Sequence, residues 1–222
     1  MTPAAVIFDC DGVLVDSEMI SISVLVDTIR AAGLDMDERA AFSLFLGQSI
    51  AQTVKILESD FGIPVSESQL AAMRATINAR FTRDLKPIPG AGEAAAAIAL
   101  PKCVASSSNP DRVRLSLDVT GLLPLFDPHI FSSSQVARGK PDPDLFLFAA
   151  DQLSVSPERC VVVEDSIAGL KAAKRAGMTA IGFIGGSHAE ACGLAEAVAA
   201  ENPVAILTDL TRLPALIHAM GA

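Results

Sequence analysis

The sequence predicts an α/β fold: a doubly wound parallel sheet of the Rossmann type, with a small α-helical domain inserted after its first strand. Short, nearly continuous apolar runs recur at residues 4–8, 102–106, 129–132, 160–163, 180–184 and 204–207. Such runs are the signature of strands covered on both faces. Helix-like stretches at 92–100, 111–119, 143–153, 167–176 and 189–200 lie between the later runs, and strands alternating with helices imply a parallel sheet. From residue 17 to about 85 the chain carries helical periodicity and no strand pattern.

Taken in order, the first strand is Ala4-Ala5-Val6-Ile7-Phe8, and it runs straight into Asp9-Cys10-Asp11-Gly12-Val13-Leu14-Val15-Asp16-Ser17-Glu18. Strand alternation turns Cys10 away from its two acidic neighbours. The inserted segment shows three apolar faces: Ile20, Val24, Ile29 and Leu34; Val54, Leu57 and Phe61; and Leu70, Met73, Ile77 and Phe81. Lys86-Pro87-Ile88-Pro89-Gly90 is a stiff return linker. The expected division is an α/β core of residues 1–16 and 87–222, with a helical cap of residues 17–86 over the carboxyl ends of the strands, where open α/β sheets bind ligands. In the core, Asn109-Pro110-Asp111 has the pattern of an N-cap, a proline at the first helical position and an acid in the first turn. Gly177 after Lys174 and Arg175 has that of a helix end. There is no internal repeat or low-complexity tract.

The chain has 222 residues, half of them apolar, enough for one substantial core with a small accessory domain. Its formal net charge of −9, with neither Trp nor Tyr, argues against nucleic acid or an anionic membrane as partner. No apolar stretch approaches the ~18 residues of a membrane span, and the first residues lack a secretory pattern. The four scattered cysteines, Cys10, Cys103, Cys160 and Cys192, form no Cys-x-x-Cys pair and read as reduced thiols of a cytoplasmic protein.

Four chemistry-bearing features follow strand ends: Asp9-x-Asp11; Ser106-Ser107-Ser108-Asn109; Lys140 in Gly139-Lys140-Pro141-Asp142-Pro143; and Glu164-Asp165. Singly, each has a plain structural reading. Asp11-Gly12 is a turn, the Ser/Asn run a helix cap, Lys140 a solvated cation and Glu164-Asp165 a helix start. Together, in this order and each after a strand, they open on one edge of a parallel sheet and converge. Two acids at the mouth of a buried strand repel one another and resist desolvation, so the arrangement asks for a cation.

In these residues the chain resembles the haloacid dehalogenase superfamily of phosphohydrolases. The matching segments are Asp9-x-Asp11-Gly12-Val13-Leu14-Val15-Asp16-Ser17-Glu18, Ser106, Gly139-Lys140-Pro141-x-Pro143 and Glu164-Asp165-Ser166-x-x-Gly169, and the helical insertion matches the subclass with a four-helix cap. The resemblance extends to bacterial phosphosugar phosphatases and the β-phosphoglucomutases. It implies that Asp9 is the nucleophile and that Asp11 is the general acid and then the base, its pKa kept near neutrality by neighbouring carboxylates. It implies Mg²⁺ between the Asp9 carboxylate, the Asp11 backbone carbonyl and Asp165, with Glu164 as a further ligand or a support for the ligands. Ser106 and the groups after it, Ser107 and Asn109 among them, would hold the phosphoryl oxygens with Lys140.

Asp16-Ser17-Glu18 reads either as a helix cap or as a hinge that closes the site. Gly47 and Gln48, in Gly47-Gln48-Ser49, belong to a cap loop expected to face the substrate. The resembled mutases carry an arginine just after such a segment, where this chain has Ile50, and this favours hydrolysis over transfer. Asp11 argues against the dehalogenating branch, which lacks that acid. His188, in Gly185-Gly186-Ser187-His188, reads as a loop histidine. The leading expectation is a Mg²⁺-dependent phosphatase of a small organic phosphomonoester such as a sugar phosphate, acting through an aspartyl-phosphate. The alternatives are a sugar phosphomutase and a non-enzymatic phospho-acceptor domain. The expected partner is a small phosphorylated metabolite, and the expected assembly a monomer or weak homodimer.

Overall fold

Every residue of the first strand, β1 (Ala5–Phe8), is buried, because helices cover both of its faces. Val6 and Phe8 point into one apolar cluster and Ala5 and Ile7 into another, as two-residue alternation requires. The computed structural model describes residues 2–45 and 50–221. Within them β1 is joined by β2 (Lys102–Ser106), β3 (Ile130–Ser132), β4 (Cys160–Glu164), β5 (Thr179–Phe183) and β6 (Ala205–Leu207). The order is β3-β2-β1-β4-β5-β6 and every neighbouring pair is parallel. Each strand lies within one residue of its sequence-predicted span.

The first cluster packs α5 (Ala91–Ala97), α6 (Pro110–Val119), α7 (Leu123–Phe126) and α11 (Leu213–Gly221) on one face of the sheet. The second packs α8 (Asp144–Gln152) and α9 (Ile167–Arg175) on the other. The N-cap of α6 is Asn109, whose Oδ1 accepts from the Arg112 N–H at 2.9 Å. The stretch expected to be helical from residue 189 begins only at α10 (Leu194–Ala200). Residues 189–193 form turns instead, closed by Ala189 N–H to Gly186 O and Cys192 N–H to His188 O, because the chain must first place His188 in the interior. The short α7 and the terminal α11 escaped the sequence reading. In α11 Pro214 stands in the first turn, where a missing N–H costs nothing.

Among the described residues four helices separate β1 from α5: α1 (Glu18–Ala31), α2 (Glu38–Phe45), α3 (Ile50–Phe61) and α4 (Glu67–Asp84). In α4 the expected stripe of Leu70, Met73, Ile77 and Phe81 is the buried face, and Ser66 and Gln69 cap its start reciprocally. In α1 burial is broader than one stripe and takes in Ile22, Val24, Leu25, Val26 and Ile29. The chain leaves for these helices and returns from them side by side: Asp16 N–H donates to Lys86 O and Ile88 N–H to Leu14 O, each at 2.9 Å. The four cysteines are free, Cys10 lying in the cluster of Val6 and Phe8. No described helix is long and apolar enough to cross a membrane.

Phe8 and Phe126 meet edge to face, ring centroids 5.6 Å apart, in the first cluster. Removing the Phe126 ring leaves a cavity under β1. The Phe126→Ala variant is expected to lose about 3–5 kcal/mol of stability, read from the urea midpoint.

Candidate active site

β1 ends where its hydrogen-bond ladder with β4 continues one step further, Asp9 N–H donating to Val163 O at 3.0 Å. This step sets Asp9 beside Glu164 and Asp165, and the three carboxylates are buried with oxygens within 4.8 Å of one another. The Lys140 ammonium, its side chain 3 % exposed, donates to Asp9 Oδ1 at 2.8 Å, Glu164 Oε1 at 2.6 Å and Ala105 O at 2.9 Å. Its remaining side lies over the Phe146 ring, 5.0 Å from the centroid. Burial lowers the affinity of Lys140 for its proton, but Asp9 and Glu164 more than restore it and leave the pKa above its ordinary value. Burial drives the Asp9 carboxyl well above the usual range against the pull of Lys140. Burial and then the Glu164 charge do the same to Asp165. Three carboxylates against one ammonium leave an excess of negative charge when all are ionised. Oxygen donors so placed fit a hard divalent cation, which reverses the local field.

Glu164 is fully buried, and both its oxygens are engaged. Oε2 accepts from the Ser166 N–H at 3.0 Å and the Ser166 hydroxyl at 2.9 Å, while the same hydroxyl caps α9 by accepting from the Gly169 N–H at 3.0 Å. A Cβ at Gly169 would overlap the Glu164 carboxylate. Glycine is required there by close approach, and at Gly12 by both conformation and space. Gly12 has φ +76°, and a Cβ would fall on Asp165 Oδ2. His188 closes this side. It is fully buried, with Nε2 3.1 Å from Asp165 Oδ2 but neither ring nitrogen in hydrogen-bond geometry. Burial holds its pKa below the ordinary imidazole value. It is a loop histidine, as the sequence reading has it, but Gly185 and Gly186 let that loop turn inward and bury it. The next residue back, Ser187, binds Asp16 Oδ1 through its hydroxyl at 2.8 Å and its N–H at 3.2 Å.

Asp11 sits in a different environment. Its Oδ1 accepts from the Ser17 hydroxyl at 2.6 Å and from Arg112 Nη2 at 3.0 Å, and its Oδ2 from the Ser108 hydroxyl at 2.7 Å. Burial raises its pKa, but Arg112, Ser17 and Ser108 together outweigh it and hold the carboxyl below the ordinary value. The expectation that neighbouring carboxylates keep Asp11 near neutrality is therefore corrected: a guanidinium and two hydroxyls stabilise its anion. Ser17 occupies the N-cap position of α1 but makes no capping bond, its hydroxyl being directed at Asp11. Glu18, half-buried, is pushed up to about 8 by burial, then by Asp11 and Asp165.

Asp9, Asp11, Ser106, Ser107, Lys140 and Asp165 line one cavity of about 580 Å³, roofed by α1, α3 and α4. Glu164 stands just behind its wall. Ser106 is buried, and its Oγ accepts from the Ser108 N–H at 3.0 Å. Asn109, expected among the phosphate-binding groups, lies off the cavity wall with its side-chain oxygen capping α6. Gly47 and Gln48 lie outside the described residues. Sequence reasoning missed Arg112, and it named Ser108 only as part of the Ser106–Asn109 run, without its bond to Asp11. Arg112 reads as an ordinary helix residue; its sole signal is its place in the first turn of a helix that starts at a strand end. It also reaches the Ser21 hydroxyl at 3.3 Å and lies 5.0 Å above the Phe81 ring of α4.

Comparison with known proteins bears on this geometry. Residues 3–177 match the haloacid dehalogenase-like hydrolase family. The chain is 32 % identical to the 6-phosphogluconate phosphatase of Escherichia coli (strain K12) over 218 residues, 98 % of this chain and 96 % of that one. A conserved haloacid dehalogenase-like protein of unknown function from Agrobacterium tumefaciens str. C58 superposes with a TM-score of 0.86 at 37 % identity, covering 99 % of this chain and 100 % of the other. A family hydrolase from Deinococcus radiodurans R1, solved with bound phosphate and sodium, gives 0.78 at 36 % identity, covering 98 % and 96 %.

Removing the Lys140 charge leaves Asp9 and Glu164 buried without their cation. In chelator, Lys140→Met is expected to be destabilised by about 3–5 kcal/mol, read from urea denaturation beside the wild type.

Proposed function

The chain belongs to the haloacid dehalogenase-like hydrolases, and from that premise we propose that it is a Mg²⁺-dependent phosphatase of small organic phosphomonoesters, sugar phosphates among them, working through an aspartyl-phosphate on Asp9. The observation that carries the reading is the Lys140 ammonium bridging Asp9 and Glu164 on the floor of a cavity that also holds Asp11 and Asp165.

Asp9 attacks phosphorus and the bond to the leaving oxygen breaks. Asp11 gives its proton to the departing alkoxide. Asp11 then takes a proton from water, which attacks the phosphorus of the aspartyl-phosphate and returns Asp9 with release of phosphate. Lys140 keeps the nucleophile oriented and faces the phosphoryl oxygens with positive charge, and Ser106 with the following N–H groups binds those oxygens. For Asp11 to carry the proton it must loosen its hold on Arg112, Ser17 and Ser108. Residues 17–86 act as the cap whose movement does this, since Ser17 and Ser21 belong to that segment and Phe81 is the ring under Arg112. Asp9, Asp165 and the Asp11 carbonyl would hold Mg²⁺, with Glu164, already bound by Lys140 and Ser166, supporting them. Bound there, it would supply positive charge against the excess of carboxylate and the incoming phosphate. The acid pair, the lysine and a strong net negative charge fit a small phosphorylated metabolite in the cytoplasm better than a polyanion.

With p-nitrophenyl phosphate, Asp9→Asn is expected to lose kcat by at least about 10³-fold while its circular dichroism stays that of the wild type. Wild-type kcat in that variant excludes Asp9 as nucleophile. Dialysis against EDTA is expected to abolish turnover and Mg²⁺ to restore it; full turnover in the chelated protein rules the metal out.

A further inference from the structure

His188 bears on the metal site, an inference that rests on the metal-dependent reading above. Of the three clustered carboxylates, two are tied by side chains: Asp9 by Lys140, and Glu164 by Lys140 and Ser166. Among the described residues no side chain hydrogen-bonds to Asp165, and its closest basic group is His188, with Nε2 3.1 Å from Oδ2.

The backbone places the ring there. A Cβ at Gly186 or at Gly12 would collide with the imidazole, so the two glycines make its space. Ser187 is pinned to Asp16 just before it, and the Cys192 N–H holds the His188 carbonyl at 3.1 Å just after it. The ring is fully buried, and neither nitrogen has a hydrogen-bonded partner. Packing alone is met better by a hydrocarbon side chain, since a buried polar atom without a partner costs free energy. Geometry also separates His188 from the ligands themselves. The oxygens of Asp9, Glu164 and Asp165 lie within 4.8 Å of one another, and no nitrogen of His188 joins that group. The imidazole meets Asp165 from outside it, at the oxygen on which the Gly12 backbone also packs.

We propose that His188 is a positioning residue for the divalent cation: its Nε2–H holds Asp165 Oδ2 as the carboxylate turns into line with it, so that Asp165 meets the ion in one orientation. A ligand oriented in advance binds its metal more tightly, and loss of such an outer partner costs about 10–100-fold in affinity.

The test titrates Mn²⁺, which suits the same oxygen donors, into the full chain after removal of bound metal. Electron paramagnetic resonance reads the free ion, independently of turnover, and circular dichroism checks the fold. His188→Leu removes the N–H and keeps the bulk; His188→Gln keeps an N–H near the place of Nε2. The expected affinity is at least about tenfold weaker in His188→Leu and within about threefold of the wild type in His188→Gln. Wild-type affinity in His188→Leu overturns the inference. So does a loss in His188→Gln as large as in His188→Leu, which assigns the effect to shape and not to the N–H. If His188→Leu does not fold, His188→Gln decides: retained affinity supports the inference and a tenfold loss overturns it. A wild-type chain that binds no Mn²⁺ overturns the metal reading and the inference with it, an outcome the wild type shows by itself.

Discussion

The Lys140 ammonium is within 3 Å of Asp9, Glu164 and the carbonyl of Ala105, so one group ties together the ends of β1, β2 and β4. Burying an ammonium is costly unless charge and hydrogen bonds compensate. Here all three donors have acceptors, and the Phe146 ring covers the remaining side. The dependence runs both ways. Without the ammonium the carboxylates at the strand ends are buried and mutually repelling; without them the ammonium is stranded. Glu164 extends the arrangement to α9, since Ser166 binds its second oxygen and caps the helix with the same hydroxyl.

The two acids of the first motif are two residues apart in sequence and in opposite electrostatic states. The pKa of Asp9 is driven up by burial against the pull of Lys140, with Glu164 and Asp165 adding to the rise. Asp11 lies with Arg112, Ser17 and Ser108, and its pKa is driven down. The roles proposed for them, nucleophile and proton carrier, run opposite to these directions and so require a cation beside Asp9 and a loosened hold of Arg112 on Asp11. The partners of Asp11 come from both sides of the cavity: Ser108 and Arg112 from the β2–α6 corner, Ser17 from the start of the inserted helices. Arg112 also touches Ser21 and Phe81. The environment of Asp11 is thereby linked to the position of α1 and α4, and a lid movement would change both at once.

Close packing accounts for the glycines of these motifs. At Gly12 and Gly169 a methyl group would occupy the space of Asp165 and Glu164, so backbone and carboxylates approach as closely as atoms permit. The same crowding leaves His188 buried against Asp165. Above this polar floor the cavity wall combines buried apolar side chains, Ile22, Leu25 and Ile77 among them, with Thr53 and Gln69.

The sheet, its strand limits and the order of the motifs were legible in the sequence, because a strand covered on both faces must be apolar throughout and a strand end must announce itself with polar residues. Asp9, Lys140 and Asp165 were legible for the same reason: each follows such an end, and parallel strands open on one edge. What tertiary structure decided was pairing. Nothing local tells Arg112 from any other first-turn arginine, yet it binds Asp11 from 101 positions away. Ser17 sits where a helix cap belongs but serves a carboxylate instead, and His188 enters the interior because two glycines allow a turn whose direction the rest of the fold dictates. Local sequence fixes what a residue is able to bind and which way its backbone runs; which partner it meets depends on the packing of segments distant in the chain.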